Sequence, residues 1–209
     1  MNIAIIGTGN VGSGLASVLS KTNHDVVVSD RKGGVEAARK LKVDGVDVKA
    51  SDIETAVKTA DTIILATPYS AAAGVAKTGD FTGKLVIDVS NPVTEDFSGL
   101  LVGHTTSAAE EIAKLVRGAT VVKAFNTVFA EHYANLGGQK IQTYIASDDE
   151  QARETVKAIA ADSGFEARDA GPLKNARYLE PICFMNIQFG YVLGQGVGIA
   201  PSWIEREGA

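Results

Sequence analysis

Cysteine is nearly missing from this chain: Cys183 is the only one in 209 residues. That excludes an internal disulfide framework and a cysteine-rich metal site, and it fits a reducing compartment. Histidine is scarce as well, with only His24, His104 and His132. No His, Cys and carboxylate spacing has the form of a metal site, so no metal is expected. A surplus of positive charge is also lacking. The 20 Lys and Arg against 25 Asp and Glu leave a net charge of −5, which argues against a nucleic-acid partner, because phosphate binding needs a basic face. The N-terminus enters a strand pattern at Asn2 without a basic leader, so no secretory leader is expected and the expected location is cytoplasmic. Long apolar runs are missing too. The charge-free stretch from Pro181 to Ile204 is interrupted by Asn186, Gln188, Gln195, Ser202 and glycines 190, 194, 196 and 198. A membrane helix needs about 20 apolar residues, so no membrane contact is expected. The stretch reads instead as a buried helix followed by a glycine-rich tail.

What is present is ordinary for a globular chain, with 45% hydrophobic and 22% charged residues. Strand patterns fall at Asn2–Ile6, Asp25–Ser29, Val46–Lys49, Thr62–Ala66, Leu85–Val89, Thr120–Ala124, Gln142–Ala146 and Glu166–Arg168. Helical patterns fall at Val11–Lys21, Val35–Leu41, Asp52–Ala60, Ser70–Thr78, Ser107–Val116 and Asp149–Ser163. Several strand runs are nearly continuous in apolar residues, as expected of strands covered on both faces. The alternation predicts an α/β fold, a doubly wound Rossmann-type parallel sheet with a small C-terminal helical extension. Residues 1–168 are expected to form the dinucleotide-binding domain and 169–209 a C-terminal helical region. In that region Pro172 is expected to start a helix and Pro181 to kink it. Beyond the kink, Ile182, Phe184, Met185, Ile187, Phe189 and Val192 read as a core stripe or, some of them, as an apolar wall against a planar ring, and Cys183 as a core residue. Ser107-x-x-Glu110 is a capping box that starts a helix.

The first strand ends in Gly7-Thr8-Gly9-Asn10-Val11-Gly12, which has G-x-G-x-x-G spacing between strand and helix. Gly7 permits a tight turn, Gly9 a close approach of backbone to a diphosphate, and Gly12 close helix packing, while the N–H groups opening the helix face the negative charge. Asp30 ends the second strand at roughly the distance of about 20 residues that such a fingerprint requires. Asp30 suits ribose hydroxyls and hence NAD, whereas Arg31 and Lys32 suit a 2′-phosphate and hence NADP. Both cofactors stay open at this point. Ligands in open α/β sheets lie beyond the carboxyl ends of the strands. That adds Ala66-Thr67-Pro68-Tyr69, where Thr67 offers a hydroxyl and Tyr69 an apolar face. It also adds Ser90-Asn91-Pro92, where Asn91 suits a carboxamide or merely makes an Asn-Pro turn. A last loop, Asn126-Thr127 with Ala130 just beyond, either lines the site or caps the next helix. The longer loop over 91–106 carries His104. His24 is expected on the surface, and His132 on a helix. No acid–base pair stands out, and no residue is assigned as catalytic.

Together, Gly7-Thr-Gly-Asn-Val-Gly12, Asp88-Val-Ser-Asn-Pro92, Val122-Lys-Ala-Phe-Asn-Thr127 and Asp169-Ala-Gly-Pro-Leu173 resemble the coenzyme F420-dependent NADP oxidoreductase family. The NADPH-binding domain of the STEAP metalloreductases shares that family fold. The resemblance covers nearly the whole chain. It implies hydride transfer between NADPH and a deazaflavin (F420) or a flavin, with the C-terminal region contributing to the second cofactor's pocket and to dimer contacts. Asp30-Arg31 stands where archaeal members usually carry Ser-Arg, and Asn126-Thr127 where they tend to carry His-Thr. The phrases Val-Ser-Asn-Pro and Phe-Asn are nearer the STEAP domain, without that protein's membrane helices. The expected function is NAD(P)H-dependent hydride transfer to a small redox acceptor in a homodimer. The alternatives are a dehydrogenase of a small carbonyl compound and a non-catalytic dinucleotide sensor.

Overall fold

Six short apolar runs form the central sheet of the computed structural model, which describes residues 1–134, 136 and 138–206. They are β1 (Asn2–Ile6), β2 (Asp25–Ser29), β3 (Lys49–Ala50), β4 (Thr62–Leu65), β5 (Leu85–Asp88) and β6 (Thr120–Lys123). All pair in parallel in the order β3-β2-β1-β4-β5-β6. This is the doubly wound Rossmann order, and the chain reverses its winding direction between β1 and β4. Ile6 sits opposite Ser29 on one side and Leu65 on the other. The loops after β1, β2 and β4 therefore converge at the switch point.

Alternation along each strand divides the core in two. Ile3, Ile5, Ile64, Ile87 and Val122 face one side, where they pack with Leu15 and Leu19 of α1 (Asn10–Leu19), Leu41 of α2 (Val35–Val43) and Val156 and Ile159 of α7 (Glu150–Asp162). Ala4, Ile6, Ile63, Leu65 and Val86 face the other. There they meet Val57 of α3 (Ile53–Thr59), Val75 of α4 (Ala72–Val75) and Ile112 of α5 (Ala108–Leu115). A second, parallel pair of strands, β7 (Gln142–Ile145) and β8 (Glu166–Asp169), extends this arrangement. It is joined to β6 by one antiparallel bridge, in which Lys123 and Ala146 exchange N–H···O bonds of 2.8 and 3.0 Å. The short α6 (Glu131–Ala134) packs on α1, and α8 (Ala176–Ile187) follows β8.

Several sequence expectations are corrected here. The third strand has only two residues, Lys49 and Ala50. Val46 instead closes the end of α2 through its N–H to Leu41 O (2.9 Å). The helix expected at Ser70–Thr78 is a 3₁₀ turn (Tyr69–Ala71) followed by one α turn, and it stops short of Gly79, whose Cβ would press on Val57 at 2.9 Å. A 3₁₀ turn (Leu173–Asn175) follows Pro172, and α8 is unbroken across Pro181 before a π-turn at Gln188–Val192. The expected core stripe of α8 lies on its wrong side. None of Ile182, Phe184, Met185, Ile187, Phe189 and Val192 is buried, whereas Ala176, Leu179, Glu180, Cys183 and Asn186 are. Two buried polar residues hold that face, for reasons given below. Cys183 does lie in the core, and burial pushes its thiol up to about 12, which leaves it unreactive. No helix among the described residues is long and apolar enough to cross a membrane.

Candidate functional site

The turn from β1 to α1 is shaped by its glycines. Gly7 has φ +106°, and a Cβ there would lie 2.3 Å from Ala66 O. A Cβ on Gly12 would lie 1.9 Å from Gly7 O. Both positions are closed by protein backbone. Gly9 is different: a Cβ there would meet nothing within 4 Å. Gly9 is the N-cap of α1, no side chain caps it, and the first turn holds no acidic residue. The helical ladder starts with Ser13 N–H to Gly9 O at 2.8 Å. The N–H groups of Asn10, Val11 and Gly12 have no ladder partner, as at any α-helix start, and Gly9 and Asn10 are exposed. An anion fits such a place electrostatically and sterically.

At the end of β2 the Asp30 carboxylate is turned inward. Its Oδ2 accepts from Thr8 Oγ1 (2.8 Å), and its Oδ1 accepts from the backbone N–H groups of Lys32 (2.7 Å) and Gly34 (3.0 Å). The Gly34 N–H is foremost in holding this carboxylate below its usual range. Gly34 is itself irreplaceable, with φ +68° and Val28 O only 2.5 Å from where a Cβ would be. Arg31 and Lys32 ride on this turn, exposed and without an ion-pair partner among the described residues.

A cleft of about 710 Å³ runs across the switch point. Gly7, Thr8 and Gly9 form one wall with Asp30 and Arg31, and Ala66, Thr67 and Pro68 form the other. Lys32 lies outside it on the same turn. Tyr69 does not line it either. It packs against the core beside β4, where burial first, and then the carboxylates of Glu111, Glu180 and Asp88, raise its phenol.

The remaining predicted residues meet at the ends of β5 and β6. Asn126 Nδ2 donates to Asn91 Oδ1 (2.9 Å) and to Leu179 O (3.1 Å), while Asn91 Nδ2 donates to Asn126 O (2.9 Å). Both ends of the Asn91 amide are thus engaged. Phe125 takes a positive φ of 60° to make this corner, and its N–H bonds Thr143 Oγ1 (3.0 Å). Asn126 and Thr127 do not cap the next helix, which begins only at Glu131, just after half-buried Ala130. Three buried polar atoms here have no partner among the described residues: Ser90 Oγ, Asn126 Oδ1 and Thr127 Oγ1. Leaving such atoms unpaired costs about 1–3 kcal/mol each. Pro92 is buried beside them.

Residues 2–92 match the family described as NADP oxidoreductase, coenzyme F420-dependent. Over 198 residues the chain is 30% identical to the F420-dependent NADP reductase of Methanocaldococcus jannaschii, an alignment that spans 87% of this chain and 89% of that protein. The chain belongs to the F420-dependent NADP oxidoreductase family. It is accordingly an NAD(P)-dependent oxidoreductase. It is also 32% identical over 186 residues to the metalloreductase STEAP3 of Rattus norvegicus, which spans 86% of this chain but only 36% of that protein. Among solved structures, a putative F420-dependent NADP reductase from Arthrobacter sp. FB24 superposes with a TM-score of 0.85 at 22% identity, over 97% of this chain and 99% of that one. That likeness establishes the shared fold.

This family member carries no histidine in its cleft. His24, expected on the surface, is largely covered (side chain 10% exposed), with Nε2 3.1 Å from Asp162 Oδ2. His104 is exposed on the 91–106 loop, and buried His132 has Nε2 3.0 Å from Ile199 O. No cluster among the described residues is placed to hold a metal ion. The sequence reading missed a buried ion network, in which Lys123 Nζ lies 2.8 Å from Asp88 Oδ2 and 2.9 Å from Glu180 Oε1. The available signal was a lysine closing the apolar run Thr120-Val-Val-Lys123 and a glutamate inside an apolar helix stripe.

Proposed function

We propose that this chain transfers a hydride between NADPH and the deazaflavin F420. What carries the reading is the open space at Gly9 beneath an uncapped helix start, which accommodates a diphosphate where a side chain would otherwise stand. The Asp30 geometry favours NADP over NAD. Three of the roughly four lone-pair positions on its carboxylate are already taken by Thr8, Lys32 and Gly34. It works as the clasp of its own turn, and Arg31 and Lys32 are left free for a 2′-phosphate. Ala66, Thr67 and Pro68 would flank the ribose portion, and the loops that carry Ser90, Asn126 and Thr127 would stand at the carboxamide end, with their unpaired polar atoms covered by protein. When bound, the dinucleotide supplies the hydride. The protein's part is to hold two rings in register and keep water away, and that demands no proton-transferring side chain.

The acceptor would approach from the C-terminal region. A second cavity of about 340 Å³ lies between α8 and the tail, lined by Asn186, Phe189, Gln195 and Pro201, with Asn186 Nδ2 3.4 Å from Thr127 O. Tyr178, Met185, Phe189 and Val192 leave an exposed apolar stripe on α8 and the π-turn after it, and we assign it to a second copy of the chain in a homodimer. Titration of the purified protein with NADPH and NADH, followed by oxidation assays with F420, FMN and FAD, tests the whole reading. Tight NADPH binding with turnover on F420 is expected. Turnover on FMN or FAD instead would replace the deazaflavin with a flavin, and tight binding with no turnover on any of the three would favour a dinucleotide sensor.

A further inference from the structure

Lys123 is wholly buried; its ammonium donates to Asp88 Oδ2 (2.8 Å) and Ser90 O (2.6 Å), and Glu180 Oε1 lies 2.9 Å away as an ion-pair partner. Asp88 Oδ1 in turn accepts the Ser90 N–H at 2.9 Å. Glu180 accepts the Ala108 N–H (2.9 Å) and the Ala109 N–H (3.3 Å) at the start of α5. Ser90 is therefore held at both its N–H and its carbonyl. Its neighbour Asn91 is locked to Asn126, and Asn126 is tied to Leu179 O, next to Glu180. One connected network spans β5, β6, α5 and α8. It adjoins the three unpartnered atoms at the carboxamide end.

Stability alone does not account for three charges there. Burial would discharge Lys123, and only the attraction of Asp88 and Glu180 holds its ammonium above the ordinary lysine value. Well-packed apolar residues of the same volume commonly stabilise a core as much as a buried ion network, or more. What such residues cannot do is fix the direction of a neighbouring carbonyl and amide.

We propose that Lys123, Asp88 and Glu180 are positioning residues for the nicotinamide end of the proposed dinucleotide site. They hold Ser90, Asn91 and Asn126 in a single arrangement, so that the ring is presented in one orientation. The proposal rests on the dinucleotide reading above. Its test separates the two halves of the cofactor, using 2′,5′-ADP as a probe of the adenosine half and the fluorescence of bound NADPH as a probe of the nicotinamide ring. Lys123→Met leaves two facing carboxylates and can fail to fold, whereas Glu180→Gln keeps the Lys123–Asp88 pair. For folded variants, NADPH affinity is expected to fall about tenfold, as for loss of a charged hydrogen-bond partner. The fluorescence enhancement of bound NADPH should be lost, while 2′,5′-ADP affinity stays within about twofold. Wild-type NADPH affinity and fluorescence in Glu180→Gln would overturn the positioning role. So would an equal loss of NADPH and 2′,5′-ADP, or the failure of both variants to melt cooperatively, since the network would then serve the fold only. If the wild type itself bound no NADPH, the proposed function would fall first, and this inference with it.

Discussion

The two halves of the proposed dinucleotide site are built from different materials. At the β1–α1 and β2 end the surfaces are backbone and glycine, the cations stand in solvent, and the opening at Gly9 is empty of protein. At the β5–β6 end the surfaces are side chains: two asparagines in a reciprocal pair, three unpartnered polar atoms and a wholly buried ion network. The first end suits the charged part of a dinucleotide, its diphosphate and a 2′-phosphate. Amide hydrogens and solvent-exposed cations recognise it with little demand on orientation. The second suits a ring whose angle decides the chemistry, and there direction has to be held by groups that are themselves held.

That contrast can be broken at its most expensive point. Lys123→Met removes the ammonium and strands Asp88 and Glu180, and thermal or urea unfolding should show a loss of about 3–5 kcal/mol, the usual cost of an uncompensated buried charge. A loss below about 1 kcal/mol, the range of exposed ion pairs, would mean that the network is not the buried unit described here. Next come the glycines, which distinguish packing from cofactor space. Gly12→Ala drives a methyl group into Gly7 O and should lose about 3 kcal/mol of stability. Gly9→Ala meets nothing, so its melting should change little while NADPH titration weakens by about tenfold or more, as expected when a methyl group occupies ligand space. Equal melting losses in both variants would contradict the open cradle. At the adenosine end, Arg31→Ala should weaken NADPH by about 1–3 kcal/mol and leave NADH almost untouched, the signature of a charge-assisted phosphate contact. A parallel loss for both nucleotides would remove that contact.

The smallest effect concerns pH. Asp30 has its folded-state carboxyl held below its usual value of 3.8, with the Gly34 N–H first among the causes. Its contribution to stability is therefore complete above the unfolded value and disappears as pH falls through the lower folded value. Melting measured from neutral pH down into the acid range should decline less steeply in Asp30→Asn than in the wild type. Identical slopes would show that the clasp carries no charge-dependent stability.

Much of the architecture was legible because it is local. Strands β1 and β2 run over Asn2–Ile6 and Asp25–Ser29, the spans their apolar runs indicate, and α7 is one residue shorter at each end than its pattern. The capping box was legible as well, with Ser107 Oγ accepting from the Glu110 N–H in the first turn of its helix. The failures were long-range. Apolar periodicity in α8 pointed to Ile182, Met185 and Phe189, yet the buried face contains Glu180 and Asn186. Those two find partners at Ala108 and Thr127, more than fifty residues away in the chain. His24 looked superficial in its turn until Asp162 of α7 came up against it. For Asn91 both a carboxamide contact and an Asn-Pro turn were open; its amide is engaged with Asn126, and the unpaired acceptor belongs to Asn126.

The sequence by itself determined the winding of the sheet and the shape of its first turn. Both follow from backbone sterics: residue period sets which face of a strand is covered, and only glycine tolerates Gly7 and Gly12 where carbonyl oxygens press in. Tertiary structure alone decided which way Asp30 turns, which asparagine keeps a free oxygen, and that Lys123 meets two carboxylates inside the core. Direction and charge state depend on what stands within about 3 Å of an atom, and for these atoms the neighbours arrive from other strands and helices.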